Sequence, residues 1–265
     1  MVVLVLLSDF GTKDAYASLM RAAAKKINSD LHIEDLTHGI QRFCVYCGAY
    51  VLYTSYKWFP EDSIFVAVVD PGVGGPRRGI IIKAKNTWFV GPDNGILWPV
   101  IEENSGESEA FVIDEKRVVP WPISSTFHGR DVFAPAAARI SRGEDPLSFS
   151  YKTNIHSLKT LSLRYSEEID GARCFKVIYV DGFGDVVLSA DGEKAKELFS
   201  IGKVRVLYKG GEIGEAIPTT TFSLVPTGAI ALYINSFGFL ELSINMSSLA
   251  EKFGLEVGDK VCLKQ

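Results

Sequence analysis

Carboxylates recur in this chain where apolar runs end in glycine. Asp9 lies in Ser8-Asp9-Phe10-Gly11, Asp70 opens Asp70-Pro71-Gly72-Val73-Gly74-Gly75, and Asp93 lies in Pro92-Asp93-Asn94-Gly95. Glycine lets the backbone turn sharply and approach a ligand. Asp, Gly and Pro are also ordinary turn residues, so any one segment alone could be a turn and nothing more. Three of them at strand ends favour a site, because ligands of open parallel sheets bind beyond the carboxyl ends of the strands. Arg77 can fold back beside Asp70. Thr126-Phe127-His128-Gly129-Arg130-Asp131 is the sharpest local feature. Histidine is the side chain best suited to move a proton near neutral pH, and His128 precedes a glycine and a helix start. Its competing role is packing or capping at that helix start.

Two segments of the second half pair polar groups with aromatics around glycine: Asp181-Gly182-Phe183-Gly184-Asp185 and Asn235-Ser236-Phe237-Gly238-Phe239-Leu240-Glu241. An aromatic beside an amide or carboxylate suits a nucleobase, stacking on its face and reading its edge. Two β-turns with core phenylalanines would give the same pattern.

Other chemistries lack their signatures. Gly72-Val73-Gly74-Gly75-Pro76-Arg77-Arg78 has no Gly-Lys-Ser/Thr ending, no G-x-G-x-x-G follows the first strand, and neither G-x-S-x-G nor H-E-x-x-H occurs. Cys44 and Cys47 form a C-x-x-C with no second pair at zinc spacing. It reads either as a redox pair or as two small apolar residues on a packed helix, and the missing βαβ redox context favours the second. No metal is expected.

These residues need a scaffold. Residues 2–7, 33–36 and 64–69 read as strands, 14–28 and 42–58 as helices, and 79–84 with 87–90 as two strands around the turn Lys85-Asn86. Asp131 to Arg142 reads as a helix with Pro135 in its first turns. The rhythm predicts an α/β N-terminal domain with a largely parallel sheet. Gly143-Glu144-Asp145-Pro146 ends it, and a polar stretch runs to about residue 165. Short strands at 174–180, 185–189, 203–208, 229–235 and 239–244 then predict a smaller β-rich, barrel-like C-terminal domain. The expected domains are 1–150 and 165–265.

Of the 265 residues, 47% are hydrophobic and 23% charged, so a packed core is expected rather than disorder. A formal net charge of −4 argues against nucleic acid as a partner. No apolar run approaches the roughly 20 residues that cross a bilayer. The opening Val2-Val3-Leu4-Val5-Leu6-Leu7 lacks a basic flank and a cleavage site, so it reads as a buried strand. With few cysteines, a cytoplasmic location is expected.

Taken in order, Ser8-Asp9-Phe10-Gly11, Val69 to Arg78, Pro92-Asp93-Asn94-Gly95, Ser125 to Asp131, Asp181-x-Phe183-Gly184 and Asn235-Ser236-Phe237-Gly238 through Asn245 resemble the S-adenosyl-L-methionine (SAM) hydrolase family, the SAM hydroxide adenosyltransferases. That family is related to the fluorinating and chlorinating SAM enzymes. The resemblance implies hydrolysis of SAM to adenosine and methionine without a cofactor. It also implies a homotrimer with active sites at subunit interfaces. By motif, Asp70, Arg77 and His128 resemble the water-handling triad. Asp9 would hold the ribose hydroxyls, Asp14 and Asp181 the methionine ammonium, and Ser236 its carboxylate. Phe183 and Phe222 would flank adenine, with Asn245 and Met246 at its edge and Glu241 nearby. The family usually has Asn where this chain has Asp185. An ionised Asp can only accept a hydrogen bond, whereas an amide also donates.

Three other readings stay open at this level. A SAM halogenase is disfavoured by the complete triad and by the short turn at Lys85-Asn86. A non-catalytic adenosine or SAM sensor is kept alive by Asp185. A metal-dependent hydrolase would use Asp9, Asp70, Asp93 and Asp131.

Overall fold

The computed structural model describes residues 2–200 and 202–264. The chain divides into two compact units, Met1–Leu161 and Ser162–Gln265.

The first unit is built on a seven-stranded sheet. Its strands are β1 (Val3–Ser8), β2 (His32–Thr37), β3 (Ile64–Val68), β4 (Gly79–Ala84), β5 (Thr87–Pro92), β6 (Ser108–Ile113) and β7 (Ser150–Thr153), in the order β2-β1-β3-β5-β4-β6-β7. The pairs β1–β2, β1–β3 and β3–β5 are parallel, and β4–β5, β4–β6 and β6–β7 are antiparallel. The apolar run at the chain's start is thus a strand buried between two neighbours. The turn at Lys85-Asn86 is a two-residue hairpin, with Ala84 opposite Thr87 and Lys85 at φ 53°, as such hairpins require. The sequence reading had no place for β6 and β7, whose short antiparallel edge pairing leaves little periodic signal.

β3 is apolar along its length because both faces are covered. Ile64, Val66 and Val68 join Leu4, Leu6, Met20 and Ala136 in one core, burying α1 (Tyr16–Ile27) on that face. Phe65 points the other way, as strand alternation requires, and stacks on Phe89 at 5.3 Å between ring centroids. On that second face lies α2 (Val45–Ser55), whose Gly48 backbone sits so close that a Cβ would be 2.9 Å from Val69 and Ile96. α2 is shorter than the expected 42–58: Cys44 is its N-cap, not an interior residue, and Tyr56–Trp58 is a 3-10 turn. α3 (Trp98–Glu103) and α4 (Glu115–Val118) are brief. The expected helix at 131–142 begins earlier, as a π-helical turn at Gly129–Phe133, and continues as α5 (Ala134–Ser141) with Pro135 in its first turn.

The second unit contains β8 (Glu167–Ile169), β9 (Ala172–Val180), β10 (Val186–Asp191), β11 (Val204–Tyr208), β12 (Gly211–Pro218), β13 (Ile230–Ile234), β14 (Phe239–Ile244) and β15 (Lys260–Lys264). The order β10-β14-β13-β12-β11-β15-β9 closes through a β9–β10 pairing into a seven-stranded barrel, with β8 paired to the first residues of β9. Closure removes the exposed edges that short strands would otherwise leave. The short helix α6 (Leu249–Phe253) follows β14 and ends at Gly254, which is left-handed at φ 64°. All four cysteines are paired. Cys44 joins Cys47, and Cys174 joins Cys262 across β9 and β15, where the two are direct register partners. The favoured reading of Cys44 and Cys47 as two packed apolar residues is therefore corrected: they form a disulfide at a helix start. Among the described residues no helix is long and apolar enough to cross a membrane.

Candidate functional site

In the first unit, β1 and β3 run parallel and deliver Asp9 and Asp70 to the same edge of the sheet. A cleft of about 410 Å³ opens there, lined by Asp9, Asp14, Arg42, Phe43, Asp70 and His128, with Phe10, Tyr16 and Phe127 among its apolar walls. Those three rings pack edge to face or tilted at 5.2–5.7 Å.

Two of the lining residues, Asp70 and His128, are joined behind the cleft wall by Arg77. Arg77 Nε donates to both Asp70 oxygens at 3.0 Å, and its Nη2 donates to Asp70 Oδ2 at 2.6 Å. The same Nη2 lies 2.9 Å from His128 Nδ1. Arg77 also lies over the Phe133 ring at 5.2 Å, and its Nη1 is buried without a hydrogen-bond partner. Gly74 makes this approach possible. It sits at φ 74°, and a Cβ there would be 2.2 Å from the Ser125 carbonyl oxygen. Only glycine lets the 70–77 loop press against the segment leading to His128.

His128 is 5% exposed. Burial pushes its imidazole below the ordinary value, and the Arg77 charge adds to this against the pull of Glu115, Asp70 and Asp131. Glu115 Oε1 lies 3.4 Å from the same Nδ1. A guanidinium only donates, so in this arrangement Nδ1 accepts from Arg77, and the other tautomer requires Arg77 Nη2 to release it. With Arg77 donating to Nδ1, Nε2 carries the proton. With Nδ1–H directed at Glu115, Nε2 has a lone pair and can act as a base.

Asp9 accepts a hydrogen bond from the Phe43 amide at 2.9 Å. Its loop is anchored from below by residues the sequence reading left without a role. Ser8 Oγ lies 2.6 Å from His38 Nδ1, the Gly11 amide donates to the His38 carbonyl at 2.7 Å, and both Ser8 and His38 are buried. A buried Ser–His pair 30 residues apart leaves no local sequence signal.

The other first-unit carboxylates are held elsewhere. Asp93 is buried, accepting from Arg78 Nε at 2.8 Å and from the Lys159 amide at 2.9 Å. Asn94 donates to the Val69 carbonyl at 2.7 Å. Asp131 is also buried, a setting that would raise its carboxyl, but hydrogen bonds from Arg130 and the Ser124 amide outweigh burial and hold it below the ordinary value. The adjacent arginines thus part: Arg77 serves the cleft and Arg78 locks a loop. The metal-hydrolase set Asp9, Asp70, Asp93 and Asp131 is dispersed onto separate partners. Among the described residues no group of three or more His, Cys, Asp or Glu side chains is placed to hold a metal ion.

The second unit carries a pocket of about 900 Å³. It is lined by Asp181, Phe183, Asp185, Phe222, Tyr233, Asn235, Ser236, Glu241 and Met246. Phe183 is 81% and Met246 83% exposed, as large apolar groups are when they await a ligand or partner. Asp181 Oδ1 accepts from the Phe183 and Asp185 amides, both at 2.9 Å, which fixes the turn. Gly184, at φ 81°, is required because a Cβ would be 1.9 Å from Ser248 Oγ. Glu241 accepts from the Tyr233 hydroxyl and from Asn235 Nδ2, the latter at 2.8 Å, and burial raises its carboxyl. The hydroxyl of Tyr233, which sequence reasoning missed, also lies 3.4 Å from Asp185 Oδ2. Burial first, then the charges of Asp181 and Glu241, push Asp185 up to about 6. Asn245 is not brought among these residues. Its amide donates to the Val225 carbonyl at 2.7 Å and ties down a loop instead.

With both sites described, their likeness to known proteins is informative. Residues 4–150 match the SAM hydroxide adenosyltransferase N-terminal domain, and residues 175–262 match the C-terminal domain. The chain belongs to this family. It is similar to the (R)-S-adenosyl-L-methionine hydrolase of Thermus thermophilus, at 33% identity over 97% of each chain. It is also similar to that of Methanocaldococcus jannaschii, at 32% identity over 98% of this chain and 94% of the relative. A fluorinase of Actinoplanes is more distant, at 25% identity over 97% of this chain and 95% of the relative. A crystal structure of an uncharacterized conserved protein from Thermotoga maritima matches over 100% of both chains, with TM-score 0.87 and 31% identity. A crystal structure of a conserved hypothetical protein from Thermus thermophilus matches with TM-score 0.78 and 29% identity, over 99% of this chain and 100% of that one.

Proposed function

We propose that this family member hydrolyses SAM to adenosine and L-methionine by in-line attack of water at C5′, with no metal and no cofactor. The observation that carries the reading is the Asp70–Arg77–His128 chain, whose two outer members line a cleft with Asp9. The sulfonium makes methionine a neutral leaving group, so the enzyme has to place water behind C5′ and take up its proton. Placement of this kind supplies roughly 7–11 kcal/mol of a barrier, and a general base about 10²–10⁴-fold.

In this reading His128 handles the proton: Nε2 takes it once Arg77 Nη2 releases Nδ1 and the ring's own proton sits there, facing Glu115. Arg77 fixes Asp70 and favours hydroxide through its charge. Asp9 holds the ribose hydroxyls. Asp14 and Asp181 face the ammonium and Ser236 the carboxylate, while Phe183 and Phe222 flank adenine with Met246, Asp185 and Glu241 nearby. Asn245 contributes through its loop. The relatives' name specifies the (R) form, and we extend that preference to this chain. We also propose a closed homotrimer with sites at subunit interfaces, acting in the cytoplasm. Light scattering should then give about three times the 29.1 kDa chain mass.

Incubation with SAM in ¹⁸O-water tests the reaction: label should enter the 5′-hydroxyl of adenosine. A halogenase is the second reading, supported by the fluorinase relatives. The complete triad and the two-residue turn at Lys85-Asn86 disfavour it. Faster formation of 5′-halo-adenosine than of adenosine in high chloride would reverse that choice.

A further inference from the structure

The Cys44–Cys47 disulfide takes no part in the chemistry above, yet it sits beside it. Cys44 caps α2, its sulfur accepting from the Cys47 amide at 3.2 Å. Cys44 is half-buried, whereas Cys47 is 1% exposed, so an incoming thiolate reaches only the Cys44 sulfur. That sulfur sits at the N-terminus of an eleven-residue helix and accepts from the Cys47 amide there, a setting that stabilises a thiolate and makes it a good leaving group. The Cys174–Cys262 bond has no such setting: it joins paired strands of the barrel, with Cys174 fully buried.

The residue before Cys44 connects the pair to the cleft. Phe43 has φ 64°, a conformation a non-glycine residue keeps only when its neighbours hold it. The holding contacts are the Cys44 amide on the Gln41 carbonyl at 3.0 Å and the Val45 amide on the Phe43 carbonyl at 3.1 Å, with the disulfide fixing Cys44 itself. In this arrangement the Phe43 amide donates to Asp9 at 2.9 Å, and Arg42 and Phe43 line the cleft with Asp70 and His128.

We propose that Cys44–Cys47 is a thiol-exchange site for dithiol reductants, and that its redox state sets how tightly the adjoining cleft holds a ribose. The second half rests on the hydrolase reading, in which Asp9 binds the ribose hydroxyls. One thiolate of the reductant attacks Cys44 Sγ, and Cys47 leaves as a thiolate and takes a proton. The reductant's second thiolate then attacks its own sulfur in the mixed disulfide, closing its ring and releasing Cys44 at the helix N-terminus. Two electrons pass from the dithiol to the protein, and its two protons go to the cysteine thiols or to solvent. Reduction frees Cys44, the 41–43 loop loses its tether, and the Phe43 amide no longer orients Asp9.

The full-length protein is titrated with dithiothreitol, free thiols are trapped with iodoacetamide, and the sites are located by mass spectrometry. Cys44 and Cys47 should label well before Cys174 and Cys262. Amide hydrogen exchange at Phe43 should speed up, and adenosine should bind roughly two- to tenfold more weakly by calorimetry, the loss expected for one hydrogen bond. Cys44→Ser keeps an N-cap oxygen, so it should bind adenosine like the reduced protein and ignore dithiol. Cys262→Ser should respond like the parent. Labelling of Cys174 and Cys262 first overturns the exchange site, and equal adenosine affinity in both redox states overturns the coupling. If adenosine binds neither form, the hydrolase reading fails, while labelling order and Phe43 exchange still decide the thiol site.

Discussion

Replacing Asp185 with asparagine should stabilise the protein and sharpen adenine recognition, but only at neutral pH and above. Asp185 is half-buried beside Asp181 and Glu241, and its carboxyl rises from an ordinary 3.8 to about 6. Because the folded value lies above the unfolded one, the native state binds more protons between these pH values. Its stability contribution is full below about 3.8 and is lost as pH rises through about 6. Taken at face value the rise corresponds to roughly 3 kcal/mol. Half-exposure to solvent screens it to about 1 kcal/mol. The side chain introduced by Asp185→Asn carries no charge to desolvate, and its amide can donate to Glu241, to Asp181 or to an adenine nitrogen. At about pH 7.5 the variant should therefore melt about 2–4 °C higher and bind adenosine roughly two- to tenfold more tightly. Near pH 5, where the native carboxyl is protonated and can itself donate, both differences should largely vanish. Thermal melts and calorimetry of both proteins at the two pH values provide the assay. Equal effects at both pH values, or a less stable variant at neutral pH, would refute the buried-carboxylate argument and remove Asp185 from adenine recognition.

Three further expectations concern the first-unit cleft. Asp70→Ala, Arg77→Ala and His128→Ala should each lower turnover by about 10²-fold or more while adenosine binding stays within tenfold, since positioning and base effects have that size. Near-native turnover of His128→Ala, measured by adenosine release, would end its proton-handling role. Because burial holds His128 below its ordinary value, the unfolded state binds the extra proton as pH falls below about 6.5, so stability should decline there, while kcat/KM should fall only at the lower pH where the folded imidazole is protonated. Glu115→Gln removes the charge that raises His128. It should move the acid limb of the pH–rate profile to lower pH and reduce kcat roughly three- to tenfold. An unmoved limb would show that Glu115 does not act on the imidazole.

Much of the architecture was legible because it rests on local periodicity. The apolar runs at 2–7 and 64–69 read as buried strands, and the alternation with helical stretches implied a largely parallel sheet. Asp9 and Asp70 followed from the rule that such sheets bind at their carboxyl ends. Glycine marked the turns. Segments whose structure depends on distant partners were not legible. β6 and β7 exist because β4 offers an edge, and β12 and β15 because a barrel has to close.

What only the tertiary structure decided is which of the polar groups meet. Nothing local distinguishes Asp93, paired with Arg78, from Asp70, paired with Arg77. Nothing local places Arg77 against a histidine 51 residues away, His38 under Ser8, or Tyr233 between Asp185 and Glu241. Cys44 read as a helix interior residue because the helical pattern carries no record of the strained Phe43 that ends it. Periodicity encodes which face of an element is buried, a property of a few neighbouring residues. The convergence of side chains depends on loop closures and strand pairings, fixed only when the whole sheet and barrel have formed.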